Sequence, residues 1–454
     1  MRLLFITALS SLLFYSCVNK ESSSTGGSDL EKRMDSLSHV YLDSGKAAGI
    51  AVAVFKGNEK LLLKSYGLAD LEWGVKLPVD ASFEIGSVTK QFTGAATLQL
   101  MEQGKLSLDD DITKYISFNT KGKKVTIRHL LSHTSGIKGY TELPLFEKVS
   151  VHKYPKDTLL RLVEKENFDF EPGEALIYNN TGFFMLGLII EKVSGMSYEE
   201  YVSKNLFEKA GMTNSYYCSE SKVIKNRAHG YDTGEKGLVR AGYLDHTWPY
   251  SAGSLCSTVE DLVKWDDALH HGKILQEKTY EEFLTPVSLN DGTVTHYAKG
   301  ITITDYNGHR MIEHGGGING FLSENRYFPD ENLKIVVLIN STGPVSPSQI
   351  ADQLSEFILG TGSKEPAYFT GDLATYAGTY KGRGRGEDLS VTIAKGDLTL
   401  TVQFKDAKPK DLHFVKDNSW SDGRTTYLFS GVGESFNELR VDQTYGYYLL
   451  KRAN

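Results

Sequence analysis

Cysteine is scarce in this chain of 454 residues: only positions 17, 218 and 256 carry it. Neither a CxxC nor an HExxH pattern occurs, so zinc chemistry has no support from the sequence. An excess of positive charge is missing as well, with 50 Lys and Arg against 57 Asp and Glu and a formal net charge of −7. That balance gives no reason to expect a nucleic-acid partner. The leading apolar run at residues 1–16, MRLLFITALSSLLFYS, is too short to span a bilayer comfortably. With one early arginine and a small residue at its end, it reads as an export signal.

What is present is ordinary for a globular protein, 40% hydrophobic and 24% charged, and the length allows two or three domains with a large core. Cys17 directly follows Ser16, as in a bacterial lipoprotein cleavage box, so Cys17 is the expected lipidation site and the protein an envelope lipoprotein. Plain secretion with cleavage nearby is the alternative. Residues 17–28 are polar and rich in Gly and Ser, a composition that suits a flexible tether. Cys218 and Cys256 can pair in an oxidising compartment. The expectation taken here is two unpaired, partly buried thiols.

Leu30, Met34, Leu37 and Tyr41 recur at helical spacing, predicting an amphipathic helix over 29–44. Two apolar runs split by Gly57 and Asn58 then predict a β-hairpin. This is an α+β beginning. Further helices are expected over 126–137, behind Thr181 as its cap, over 259–270 and 280–284 on the surface, and over 350–359 as the domain's close. A strand at 310–313 leads into HGGGINGF, and FLSENRYF with LKIVVLIN predicts another hairpin. From about Gly360 a linker-like stretch gives way to short alternating runs, which read as a small all-β domain over 361–454. Within it KGRGRGE, 381–387, reads as an exposed hairpin loop.

One stretch looks built to activate an oxygen nucleophile: FEIGSVTKQFTGAA, residues 83–96. If it is helical from Ser87, Lys90 falls one turn along on the same face. The lysine amine can then take the serine proton once its pKa is lowered, and the helix N-terminus favours a developing oxyanion. Tyr178, in YNN, is a candidate general base if a nearby ammonium eases its ionisation. His133, in a Ser/Thr/Gly turn, is expected to be hydrogen-bonded scaffolding.

With SVTK, YNN and HGG in that order, residues 29–360 resemble the serine β-lactamase and penicillin-binding-protein superfamily. The resemblance is to the branch of class C β-lactamases, D-alanyl-D-alanine carboxypeptidases, D-aminopeptidases and related esterases. LLSHTSGI and SAGSLCSTVEDL match recurring stretches of that branch, and some members carry a lipocalin-like C-terminal domain. The resemblance implies an antiparallel sheet flanked by helices with an all-helical region, followed by a small barrel-like β-domain. It implies a cofactor-free acyl-enzyme mechanism with Ser87 as nucleophile, Lys90 as activating amine, Tyr178 as proton shuttle and Asn180 as holder of the lysine and the substrate. His314, Gly315, Gly316 and Gly317 match the third element, and the amides of Ser87 and Gly317 become the oxyanion hole. A lysine at the first position of that element carries fixed charge for a substrate carboxylate. A histidine there, with an ordinary pKa of about 6.5, does not. The expected substrate is a small peptide, a β-lactam or an ester. A class C-like β-lactamase and a non-catalytic peptidoglycan-binding envelope protein are the alternatives.

Overall fold

In the computed structural model, which describes residues 25–219, 221–362, 367–431 and 436–453, the helix α1 (Thr25–Asp43) precedes the first hairpin. The leader at 1–16 and Cys17 lie outside the described residues. The two apolar runs around Gly57 and Asn58 pair as β1 (Gly49–Lys56) and β2 (Glu59–Asp70). Later in the chain come α2 (Thr89–Glu102), α3 (Asn180–Ser194) and α4 (Val259–His270). They are followed by β3 (Thr302–Tyr306), β4 (His309–Ile318), β5 (Phe321–Phe328), β6 (Leu333–Ile339) and α5 (Pro347–Leu359). The strands form one antiparallel sheet in the order β3-β4-β5-β6-β1-β2, extended by a two-residue strand at Val75–Lys76.

Both faces of this sheet are covered, which is why β1 and β6 are nearly continuous apolar runs. Alternation still sorts the side chains: Ala51, Ala53, Val336 and Leu338 face the large helical region, while Ile50, Val52, Val54, Ile335 and Val337 face α1 and α5. On the helical side α2 is buried all round, so its polar residues must find partners. Thr93 donates to the Ser251 carbonyl at 2.6 Å, and Gln91 accepts from the Trp265 indole at 3.0 Å.

The helix expected on the surface at 259–270 is not a surface helix. Leu262, Trp265 and Leu269 are fully buried, and Trp265 stacks on Phe92 with ring centroids 4.0 Å apart. An amphipathic pattern marks one apolar face but does not say how much of the rest is covered. Asp266, on the same helix, is also buried, and its carboxylate accepts from the Asn325 side-chain amide at 2.9 Å.

The expectation of two free thiols is wrong: Cys218 and Cys256 form a disulfide, with Cα atoms 5.3 Å apart. Cys256 lies on the strand Leu255–Ser257, which pairs on one side with Phe83–Glu84 and on the other with Tyr216–Tyr217. This small sheet juxtaposes residues 38 apart in the chain, which no spacing rule reveals. The bridge staples the middle strand of this sheet, on which Phe83–Glu84, the strand leading to Ser87, is paired.

Beyond α5 the chain closes an all-β barrel. Among the described residues eight strands run from β7 (Gly378–Arg383) and β8 (Asp388–Lys395) to the last, Gly446–Arg452, which returns to pair with β7. Closure removes the exposed strand edges, and Trp420, Tyr380 and Tyr427 fill the interior. The last strand makes a second pairing: Gly446 and Tyr447 sit opposite Ile177 and Leu176. The barrel is thereby sewn to the short strand immediately before Tyr178.

Candidate active site

Ser87 lies in a single 3-10 turn, Gly86–Val88, that runs into α2. Gly86 has φ of +48°, and a Cβ there would fall 2.9 Å from the backbone of Gly317, so only glycine brings the turn against β4. One turn on, Lys90 is completely buried. Its Nζ lies 3.1 Å from Ser87 Oγ, 2.9 Å from Asn180 Oδ1 and 2.8 Å from the Ala252 carbonyl. Burial first, and the Arg385 guanidinium second, hold the Lys90 pKa well below its ordinary value. A neutral amine has two N–H groups and one lone pair. The two acceptor-only oxygens take the N–H groups, which leaves the lone pair for the Ser87 hydroxyl proton.

Tyr178 follows the strand Leu176–Ile177 and is buried, with its ring centroid 4.7 Å from Lys90 Nζ. Among the described residues its hydroxyl has no hydrogen bond of full geometry. Burial raises its pKa, and the neighbouring Ser87 hydroxyl and Arg385 charge only partly offset this. Desolvation of the phenol outweighs whatever its polar neighbours do to ease its ionisation. The phenol is a proton donor at rest.

Asn179, not Thr181, caps α3: its side chain accepts from the Gly182 amide at 3.0 Å. Thr181 instead donates to the Lys138 carbonyl and accepts from the Tyr140 amide, both at 2.9 Å. Together these bonds aim Asn180 at Lys90. His133 is buried and strongly biased to the neutral form, and its Nδ1 accepts from the Asn179 amide at 3.0 Å.

His314 is buried too. Burial above all lowers its pKa to about 3. Nδ1 donates to the Gly315 carbonyl at 2.6 Å and Nε2 accepts from the Tyr297 hydroxyl at 2.9 Å, which fixes one neutral tautomer. It offers no positive charge. Gly315, Gly316 and Gly317 continue β4 past the last β3 pair, Thr302 with Glu313, so their outer edge has no strand partner. A Cβ on Gly316 would lie 2.2 Å from the Ile85 carbonyl and 3.1 Å from Ser87 N. The strand and the Ser87 turn are thus in direct contact, and Ser323 reinforces this by donating to the Ile85 carbonyl at 2.8 Å.

Two residues that sequence reasoning missed come from the barrel. The Gly315 amide donates to the Tyr445 hydroxyl at 2.6 Å, and the Tyr445 ring packs 5.0 Å from His314 and 5.6 Å from Tyr178. Arg385 lies with its guanidinium carbon 5.0 Å above the Tyr178 ring and its Nε donating to Glu142 at 3.0 Å. The segment 381–387 is the exposed hairpin expected, but its arginines are anchored. Arg383 anchors it by two bonds to Asp169, at 3.0 and 2.9 Å. Ser87, Tyr178, Asn180, His314, Arg385 and Tyr445 all line one cavity of about 950 Å³ between sheet and barrel. Elsewhere, Asp70, Glu72 and His229 draw together as metal ligands would, but Arg240 lies 3.1 Å from Glu72 and 2.7 Å from His229. A guanidinium already supplies the positive charge there.

Comparison with known proteins agrees with this architecture. The Beta-lactamase family model matches residues 30–358. Protein flp of Staphylococcus aureus (strain MRSA252) is 26% identical over 331 residues, covering 71% of this chain and 65% of its own length. D-aminopeptidase of Brucella anthropi is 27% identical over 340 residues, covering 73% of this chain and 63% of its own. This chain thus spans just under two thirds of each of these relatives. The octameric penicillin-binding protein homologue from Pyrococcus abyssi superposes with a TM-score of 0.65 at 26% identity, over 93% of this chain and 99% of that one. That match extends through the barrel as well as the sheet.

Proposed function

The chain belongs to the β-lactamase family, and from that premise we propose that it is a serine hydrolase that cleaves peptides containing D-amino acids through an acyl-enzyme. The observation that carries this reading is the set of three contacts at Lys90 Nζ, which leaves a neutral amine one acceptor site and points it at Ser87. Lys90 takes the hydroxyl proton as Ser87 Oγ bonds to the substrate carbonyl carbon. The amides of Ser87 and Gly317, brought together by the contact of Gly86 with Gly317, receive the oxyanion. The proton then passes through the Tyr178 hydroxyl to the leaving nitrogen, the carbon–nitrogen bond breaks, and water releases the acyl group by the reverse proton path.

The preference for a peptide rests on the neutral His314 and on the D-aminopeptidase and penicillin-binding relatives. The Cys218–Cys256 bond and the apolar leader support an exported protein, tethered through Cys17 to an envelope membrane. A panel of nitrocefin, an acyl-D-Ala-D-Ala peptide, a D-amino-acid amide and p-nitrophenyl acetate tests the class. The D-peptide is expected to exceed nitrocefin in kcat/KM by at least about tenfold, the range one well-placed polar contact supplies. Preference for nitrocefin, or turnover of none of the four, contradicts the reading.

A further inference from the structure

The barrel enters the cleft at two points that the acylation steps leave unused. Position 314 provides no cation, yet arginines line the cavity: Arg326 is held by Glu313, Glu324 and Asp352, Arg424 lies at the rim, and Arg385, carried in by the β7–β8 hairpin, is the one that stands over Tyr178. Glu142 occupies its Nε, and among the described residues no hydrogen bond holds its two terminal nitrogens. The second point is the strand edge. Alternate residues of a strand present their amides to the same side, so Gly315 and Gly317 share the open edge of β4, roughly 7 Å apart. Tyr445 has already taken the Gly315 amide, and its ring is wedged against His314 and Tyr178. The pairing of Tyr447 with Leu176, two residues on, holds the phenol in place.

We propose that Arg385 and Tyr445 make the enzyme exo-acting, the guanidinium receiving the free carboxylate of the substrate's last residue and the phenol closing the strand edge one residue beyond the scissile bond. A peptide whose carbonyl oxygen lies at the Gly317 amide has room towards Gly315 for about one residue before it meets Tyr445. Its terminal carboxylate then lies in the part of the cavity where Arg385 stands over Tyr178. The reaction is hydrolysis of the last peptide bond: the Ser87 ester forms, the C–N bond breaks, one amino acid leaves with its nitrogen protonated, and water returns the acid. The inference rests on the serine-hydrolase reading.

The test is the ratio of kcat/KM for acyl-D-Ala-D-Ala to that for its C-terminal amide. A ratio is used because Arg385 also bears on Lys90, and any effect there falls on both substrates alike. The wild type is expected to favour the free acid by at least about tenfold, the strength of one hydrogen bond to a charged group. Arg385→Gln should bring the ratio near one, and Arg385→Lys should restore part of it. Tyr445→Ala should gain turnover of a substrate extended by one glycine, which the wild type leaves intact. Tyr445→Phe, which loses only the hydroxyl bond, carries the same test if the alanine variant does not fold.

A wild-type ratio near one, or an unchanged ratio in Arg385→Gln, overturns the carboxylate site. Absence of any gain in both Tyr445 variants overturns the end-stop. Wild-type protein that reacts with a fluorophosphonate but ignores the carboxylate refutes this inference alone. Protein that fails to react refutes the serine-hydrolase reading with it.

Discussion

Replacing Lys90 by methionine is expected to lower kcat/KM at neutral pH by about three orders of magnitude or more, because nucleophile and base act as a unit. Methionine fills nearly the same buried volume but has no lone pair basic enough for the Ser87 proton. It also leaves the Asn180 amide oxygen and the Ala252 carbonyl without their donor, at a cost of about 1–3 kcal/mol for each buried group. Thermal unfolding should therefore accompany the kinetics, to show that the fold survives. The wild-type pH profile adds a second readout. The active form has Lys90 unprotonated, so activity should be lost as pH falls through its lowered pKa, well below the range of an ordinary lysine. A profile that climbs steadily towards pH 10 would show an ordinary lysine and contradict the assignment.

Replacing Asp266 by asparagine is expected to change how stability depends on pH. Burial raises the Asp266 pKa from 3.8 to about 8, with Asn325 and Lys334 opposing the shift. Between those values the unfolded chain has released this proton while the native state still holds it, so the unfolded state binds fewer protons and stability falls as pH rises. The contribution is fully present below about pH 4 and lost by about pH 8, a swing of about 5 kcal/mol at one and a third kcal/mol per unit. Asparagine cannot titrate. Denaturant unfolding of both proteins should show the variant gaining on the wild type as pH rises from 5 to 8. A difference that stays constant over that window would mean that Asp266 is ionised in the native state.

Ser87, Lys90, Tyr178 and the glycine strand stood out in the sequence because the proposed chemistry constrains residue type over a few positions each, and the structure brings them together. Three such segments in order also imply a fold, and with it the approach of residues that lie 90 apart, such as Lys90 and Asn180. The first hairpin and the pairing of FLSENRYF with LKIVVLIN were legible for a different reason, since each is a local contact between adjacent apolar runs.

What composition concealed was long-range. Tyr445 reaches Gly315 across 130 residues, and nothing in YGYYLL distinguishes Tyr445 and Tyr447, which pack on the core of the main domain, from Tyr448, which packs on that of the barrel. The arginines of KGRGRGE carry the composition of a solvated loop, yet their partners Asp169 and Glu142 lie in another part of the chain. The disulfide escaped for the same reason. How readily Tyr178 ionises was not legible either, because the burial that raises its pKa is a property of the fold and not of the segment YNN.

The central claim is that Ser87 is the one hydroxyl whose proton a neutral amine is placed to take. Mass spectrometry of the intact protein after incubation with a fluorophosphonate tests it directly. The account predicts one adduct per chain, located on the peptide that contains Ser87 and absent from Ser87→Ala. An adduct that persists in the variant, or that maps to another residue, would contradict it.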